Sequence, residues 1–183
     1  MGGVADYVAF LRAINLGKNR KFPMAEVKAC LAAGGFSDVE TYIASGNVRV
    51  GSSMRSPGNV AAELERLFEA DRGFAVPTVV MTPRELRQVY DDAVGLEPPF
   101  GAAEVRRYVT LAKEPVPADA AAEIHALEAE GEVARVVGRA VHLWIRAGYQ
   151  NARLNNARLE RAVGVATTRD LKVITTLAER WGS

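Results

Sequence analysis

Val39-Glu-Thr-Tyr-Ile-Ala-Ser-Gly-Asn-Val-Arg-Val-Gly51 reads as two short strand-like runs, Val39–Ala44 and Val48–Gly51, around a tight turn at Ser45-Gly46-Asn47. A turn this short joins only antiparallel strands, because parallel neighbours need a crossover of about a dozen residues or more. Glu132–Val137 and Ala140–Arg146, around Gly138-Arg139, repeat the requirement in the second half of the chain. Two such hairpins disfavour a doubly wound parallel sheet.

Working outward from the first hairpin, Val4–Ala13 is rich in β-branched and aromatic residues and reads as a strand, followed by a loop at Asn15-Leu-Gly-Lys-Asn. Pro23 suits a first helical position, Met24, Val27 and Leu31 share a helical face, and Gly34-Gly35 ends that helix. Beyond the hairpin, Ser56-Pro57 opens a helix whose buried stripe is Val60, Leu64, Leu67 and Phe68, with Gly73 as its stop. Ala75–Met81 is a strand buried on both faces. The order β-α-β-β-α-β is the split β-α-β arrangement of ferredoxin-like folds.

Thr82-Pro83-Arg84-Glu85 is a capping box, and Leu86, Val89 and Tyr90 form the apolar side of its helix. The second half then starts again: a strand at Val105–Lys113, a helix from Ala118 to Glu130 with Ile124 and Leu127 inward, and the second hairpin. A polar loop, a short helix at Ala157–Val163 and a last helix at Asp170–Trp181 follow, the last burying Leu171, Ile174, Leu177, Ala178 and Trp181. Any closing strand is short, near Val165–Thr167. The expected fold is α+β: two tandem ferredoxin-like lobes with antiparallel sheets and a packed C-terminal helix. The lobes are placed at 1–94 (with a connecting helix) and 104–183, with 95–103 as linker.

The composition fits this. With 183 residues, 49% apolar and 25% charged, the chain is long enough for one domain or two small lobes. A formal net charge of +1 argues against a generic polyanion binder. No run of about 20 apolar residues spans a membrane. The start, Met-Gly-Gly-Val-Ala-Asp, lacks a basic region followed by an apolar stretch, so a cytoplasmic location is expected. A single cysteine, Cys30, excludes an internal disulfide and reads as a small core residue. The charge is uneven, however. Residues 104–132 carry three basic and seven acidic side chains, and residues 133–183 carry nine basic and three acidic. Such segments read as solvated faces or, alternatively, as an anion-binding surface.

Three motifs together carry a resemblance: Tyr7-Val-Ala-Phe-Leu-Arg-Ala-Ile-Asn-Leu-Gly17 followed by Pro23-Met-Ala-Glu26, Thr41-Tyr-Ile-Ala-Ser-Gly-Asn-Val48, and Ala166-Thr-Thr-Arg-Asp-Leu-Lys-Val-Ile-Thr-Thr-Leu177. They resemble the DUF1697 family, a bacterial group of unknown function, over about residues 5–180. The resemblance implies an α+β fold with two ferredoxin-like lobes, and no established activity. Where that family usually has Asn-Trp after the arginine, this chain has Asp170-Leu171.

Candidate site residues sit at strand ends and turns: Arg12, Asn15, Gly17, Ser45, Gly46, Asn47, Thr167, Thr168 and Arg169. In a split β-α-β unit the first and third strands are neighbours, so the 12–17 and 45–47 motifs are expected at one end of one sheet. Backbone N–H groups, an arginine fork and a Thr-rich helix start suit phosphate or carboxylate. The alternative is turn chemistry, with Gly46-Asn47 supplying positive φ and Thr168 or Asp170 a helix cap.

Other chemistries find less support. Gly17-Lys18 has Arg12 where a phosphate-binding P-loop needs glycine, and Asn19 where it needs a hydroxyl. Tyr7 and Phe10 point to opposite faces of their strand, and Val48-Arg49-Val50 offers no aromatic, which tells against RNA stacking on the sheet. His125 and His142 lack spaced partners, so no metal and no cofactor is expected. His142 reads as a surface or hydrogen-bonded strand histidine, Trp144 and Trp181 as core anchors. The reading that results is a module that binds a small anionic ligand, such as a nucleotide or phosphorylated metabolite. Its alternatives are an enzyme acting on such a ligand and a protein-interaction or oligomerisation module; the sequence leaves the oligomeric state open.

Overall fold

The first strand, β1 (Ala5–Leu11), lies between the hairpin partner β3 (Asn47–Ser52) and β4 (Thr78–Met81) in the computed structural model, which describes residues 3–101, 105–146 and 148–183. With β2 (Ser37–Tyr42) at the edge, the sheet order is β2-β3-β1-β4, every pairing antiparallel. Tyr7, Ala9, Leu11, Val48, Val50 and Val80 face α1 (Met24–Ala33) and α2 (Pro57–Arg72) in one core with Val27, Leu31, Val60, Leu64 and Phe68. Strand alternation sends Val8, Phe10 and Val79 to the other face, where they are buried too.

The same order recurs in the second half. β5 (Arg106–Ala112), α4 (Ala118–Ala126), β6 (Glu132–Val137), β7 (Ala140–Ile145), α5 (Asn156–Val163) and β8 (Ala166–Asp170) give a sheet ordered β6-β7-β5-β8, again antiparallel. Ile124, Val141, Leu143, Ile145, Leu154 and Leu159 form its core. The fold is α+β with two ferredoxin-like lobes. Two further helices, α3 (Pro83–Gly95) and α6 (Leu171–Trp181), complete the chain.

Sequence signals explain most boundaries. Ser56 Oγ accepts the Asn59 N–H, Pro57 follows at the first helical position, and Gly73 closes α2 in the left-handed region at φ +73°. Thr82 and Glu85 exchange the reciprocal bonds of a capping box, at 2.7 Å to the Thr82 N–H and 3.2 Å from the Glu85 N–H.

Several boundaries differ from expectation, four of them as follows. β4 starts at Thr78 instead of Ala75, because Pro77 has no N–H for the ladder. β2 ends at Tyr42, because Ile43 turns to φ +53°. α4 ends at Ala126 instead of Glu130: Glu128 turns away to accept the Ala134 N–H at 2.8 Å, and the chain reverses through an Ala129–Glu132 bridge. The closing strand expected near Val165–Thr167 is β8 and runs on through Thr168 and Arg169, expected as the lead into the last helix; Thr167, Thr168 and Arg169 pair with Leu111, Thr110 and Val109. β-branched threonines suit that pleated surface.

The chain forms two compact units, Met1–Leu86 with Arg180–Ser183, and Arg87–Glu179. The division falls inside α3, ahead of the 95–103 stretch read as a linker. Of that stretch, Ala102 and Ala103 lie outside the described residues, as does Glu104, the expected first residue of the second lobe. No helix among the described residues is long and apolar enough to cross a membrane.

Candidate functional site

In the first unit the β1 end and the hairpin turn meet, as the topology requires. Phe10 lies opposite Asn47, and the Leu11 N–H donates to the Gly46 carbonyl at 2.8 Å. Asn15 ties the loop to that turn. Its Nδ2 donates to the Phe22 and Ala44 carbonyls at 2.9 and 2.8 Å, and its Oδ1 accepts the Phe22 N–H at 2.8 Å. Asn47 is fully buried and donates to the Tyr42 carbonyl at 2.9 Å and to Ser45 Oγ at 3.3 Å.

This corner is bent hard. Ala13, Asn15, Arg20 and Ile43 all have φ between +53° and +56°. Such conformations cost about 1–2 kcal/mol for a residue with a Cβ and persist only where the surroundings over-determine them. The Asn15 bonds supply that determination, with Arg20 donating to the Ala13 and Ala75 carbonyls while lying over the Phe74 ring at 4.7 Å. Gly46 has a second constraint besides φ +88°: a Cβ there would sit 2.8 Å from Leu11 Cβ and 2.9 Å from Ile14 Cδ1. Gly17, at φ +67°, faces open space. Arg12 is half-buried, and its N–H donates to the Pro77 carbonyl at 2.9 Å.

In the second unit, the third motif lies along β8. Thr168 Oγ1 bonds Thr110 Oγ1 at 2.8 Å and donates to Asn156 Oδ1 at 2.9 Å. Arg169 is buried, and its guanidinium donates to Thr167 Oγ1 at 2.7 Å and to the Thr168 carbonyl at 3.1 Å. Burial holds its pKa down at about 10, so it stays charged at neutral pH. These strand residues deliver Asp170 to the start of α6, where its carboxylate accepts the Lys172 N–H at 2.8 Å and caps the helix.

A cavity of about 410 Å³ opens at this junction, lined by Val105, Arg106, Arg107, Asp170, Leu171, Lys172 and Thr175. Arg106 and Lys172 are exposed. Arg107 lies over the Trp144 ring at 4.5 Å and donates through one terminal nitrogen to the Ala93 carbonyl at 2.7 Å. Its buried Nε has no partner among the described residues, and burial lowers its pKa. The sequence did not single out Arg106 or Arg107, and Lys172 entered as one of the nine basic residues of 133–183. No local pattern singles them out: adjacent strand residues face opposite ways, and it is the β5–β8 register that brings the start of β5 beside the end of β8.

His142 corrects its expectation. It is fully buried, neither ring nitrogen has a partner among the described residues, and burial lowers its pKa from 6.5 to about 4. Trp144 and Trp181 are buried as read, and Cys30 is half-buried against the first core with its Sγ 3.7 Å from the Leu67 carbonyl.

The sequence pattern described as protein of unknown function (DUF1697) matches residues 4–142. The chain belongs to the DUF1697 family. The match takes in the corner around Arg12, Asn15 and Gly46 and stops before the Thr167–Arg169 motif. No curated protein matches the sequence. Among solved structures, the DUF1697 chain is similar to the conserved bacterial protein SP0830 from Streptococcus pneumoniae. The TM-score is 0.74 at 22% identity, covering 98% of this chain and 99% of that one. At that identity the likeness speaks for the fold alone.

Proposed function

We propose that this DUF1697 protein is a binding module for a small anionic ligand, and that the anion is held in the cavity where β8 meets α6. The observation that carries the reading is the lining itself: Arg106, Arg107 and Lys172 around about 410 Å³. That volume suits a metabolite-sized molecule. Among the described lining residues three cations stand against one carboxylate, and Arg forks match phosphate or carboxylate geometry. Arg107 is held in place by Trp144 and the Ala93 carbonyl, so part of the ordering cost of binding is already met by the fold.

The turn residues Asn15, Ser45, Gly46 and Asn47 give this reading less support as ligand contacts, because the hydrogen bonds and packing described above set them to shaping the corner. Arg12 is retained as the competing place for the anion. Calorimetric titration with inorganic phosphate and phosphorylated metabolites, at low and moderate salt, tests both. Arg106→Ala and Lys172→Ala are expected to weaken binding at least about tenfold each, since hydrogen bonds to charged groups contribute about 1.5–3 kcal/mol. Binding lost in Arg12→Ala but kept in those two variants moves the ligand to the first unit. Absence of binding across the panel rejects the reading.

A further inference from the structure

Among the described residues the cavity lining is not purely basic, and Asp170 is placed in a particular way. Asp170 ends β8 opposite Tyr108 on β5, two residues from Arg106, so strand alternation sends Asp170 and Arg106 to the same face of the sheet. One carboxylate oxygen accepts the Lys172 N–H. Among the described residues Asp170 makes no ion pair, although Arg106, Arg107 and Lys172 line the same cavity. A site built for a simple anion gains nothing from a carboxylate in its wall, because like charge opposes the ligand.

We propose that the ligand is a zwitterion, a small molecule carrying one anionic group and one primary ammonium, with Asp170 taking the ammonium and Arg106 and Lys172 the anion. This rests on the anion-binding reading above. An ionised carboxylate has lone pairs for more than one donor, so capping α6 through one oxygen leaves the other for N–H donors of the ligand. The pairing of opposite charges at the two ends fixes the ligand's direction in the cavity. Phosphate and carboxylate are both served by the cationic side, so the shared chemistry is an amino group a few bonds from an oxyanion.

The test uses matched probes on the full chain. 2-Aminoethyl phosphate is compared with propyl phosphate, and 4-aminobutyrate with butyrate, by calorimetry at low salt. The expected result is at least about tenfold tighter binding of the amine in one pair, which also identifies the oxyanion. Asp170→Asn keeps a helix-capping side chain. It is expected to erase that preference and to bind the amine-free probe severalfold tighter, because a like charge has gone. Equal binding of amine and amine-free probes overturns the zwitterion and leaves the anion reading standing. An amine preference that survives in Asp170→Asn overturns the role given to Asp170. No binding of any probe overturns both readings.

Discussion

Arg49 on β3 and His142 on β7 occupy the same place in two sheets of the same order. Arg49 lies opposite Val8 and Glu40; His142 lies opposite Val109 and Arg135. In the first unit the position is the centre of a surface network. Arg49 bonds Asp6 at 2.7 Å and Glu40 at 2.8 Å, and Glu40 accepts the Trp181 indole N–H at 3.1 Å. In the second unit the position is sealed: the ring is fully buried, and the place corresponding to Asp6 is taken by Arg107 stacked on Trp144. Backbone ladders and the helix-facing core repeat, whereas the opposite faces of the two sheets are individually composed. A repeated frame therefore predicts where a side chain stands and not what surrounds it.

The sharpest way to break the comparison is at the two hairpin glycines. Gly46 and Gly138 both have positive φ, +88° and +59°. Only Gly46 is packed against its neighbours. Gly46→Ala is expected to lose about 4 kcal/mol in chemical denaturation, adding overpacking to the left-handed penalty, and Gly138→Ala about 1 kcal/mol. Equal losses would show that the first corner is not the more constrained one.

Next in size is the acid response of His142. Its folded pKa of about 4 lies below the ordinary 6.5, so the unfolded chain takes up the proton first. The associated stability is complete above about pH 6.5 and falls by up to about 3 kcal/mol as pH drops towards 4. His142→Leu should flatten stability across that window; an unchanged slope would assign the acid response elsewhere. The first unit responds lower. The Trp181 hydrogen bond and then Arg49 hold the Glu40 carboxyl below its usual range, so its contribution is present above the unfolded carboxyl value and is lost as pH falls from there through the lowered folded value.

Asn15→Ala comes third, at about 2 kcal/mol, since it strands the Phe22 N–H and two carbonyls. Asn15→Asp, which keeps the acceptor, should recover part of that loss in thermal melts. The smallest effect belongs to the surface network. Arg49→Ala should cost about 1 kcal/mol or less, shrinking in high salt as exposed pairs do. A loss as large as that of Gly46→Ala would mean that the network is far less solvated than its geometry shows.

Much of this frame was legible in the sequence because turn chemistry and capping act locally. Gly46-Asn47, Ser56-Pro57, Gly73 and the Thr82–Glu85 box each specify backbone geometry within a few residues. The core stripe of α2 was legible through its period. What escaped was decided by distant partners. Thr168 and Arg169 read as the lead into the last helix until pairing with β5 made them strand, and His142 read as a surface or hydrogen-bonded histidine because alternation cannot tell a solvated face from a second buried one. The site suffered most. The eye-catching Asn15 and Asn47 are tied to backbone groups, while Arg106 and Lys172 carry no local signature and are brought to one cavity only by the β5–β8 register.

The return of Arg180–Ser183 to the first unit also has a temporal side. Trp181 supplies the indole that Glu40 accepts from, and the Arg180 guanidinium lies over the Tyr42 ring at 4.9 Å. On a ribosome the β2 edge is made before these two side chains, with the whole of the second unit between them. The first unit is thus completed only after Arg87–Glu179 has been made, so the intervening unit can settle while its predecessor still lacks these side chains.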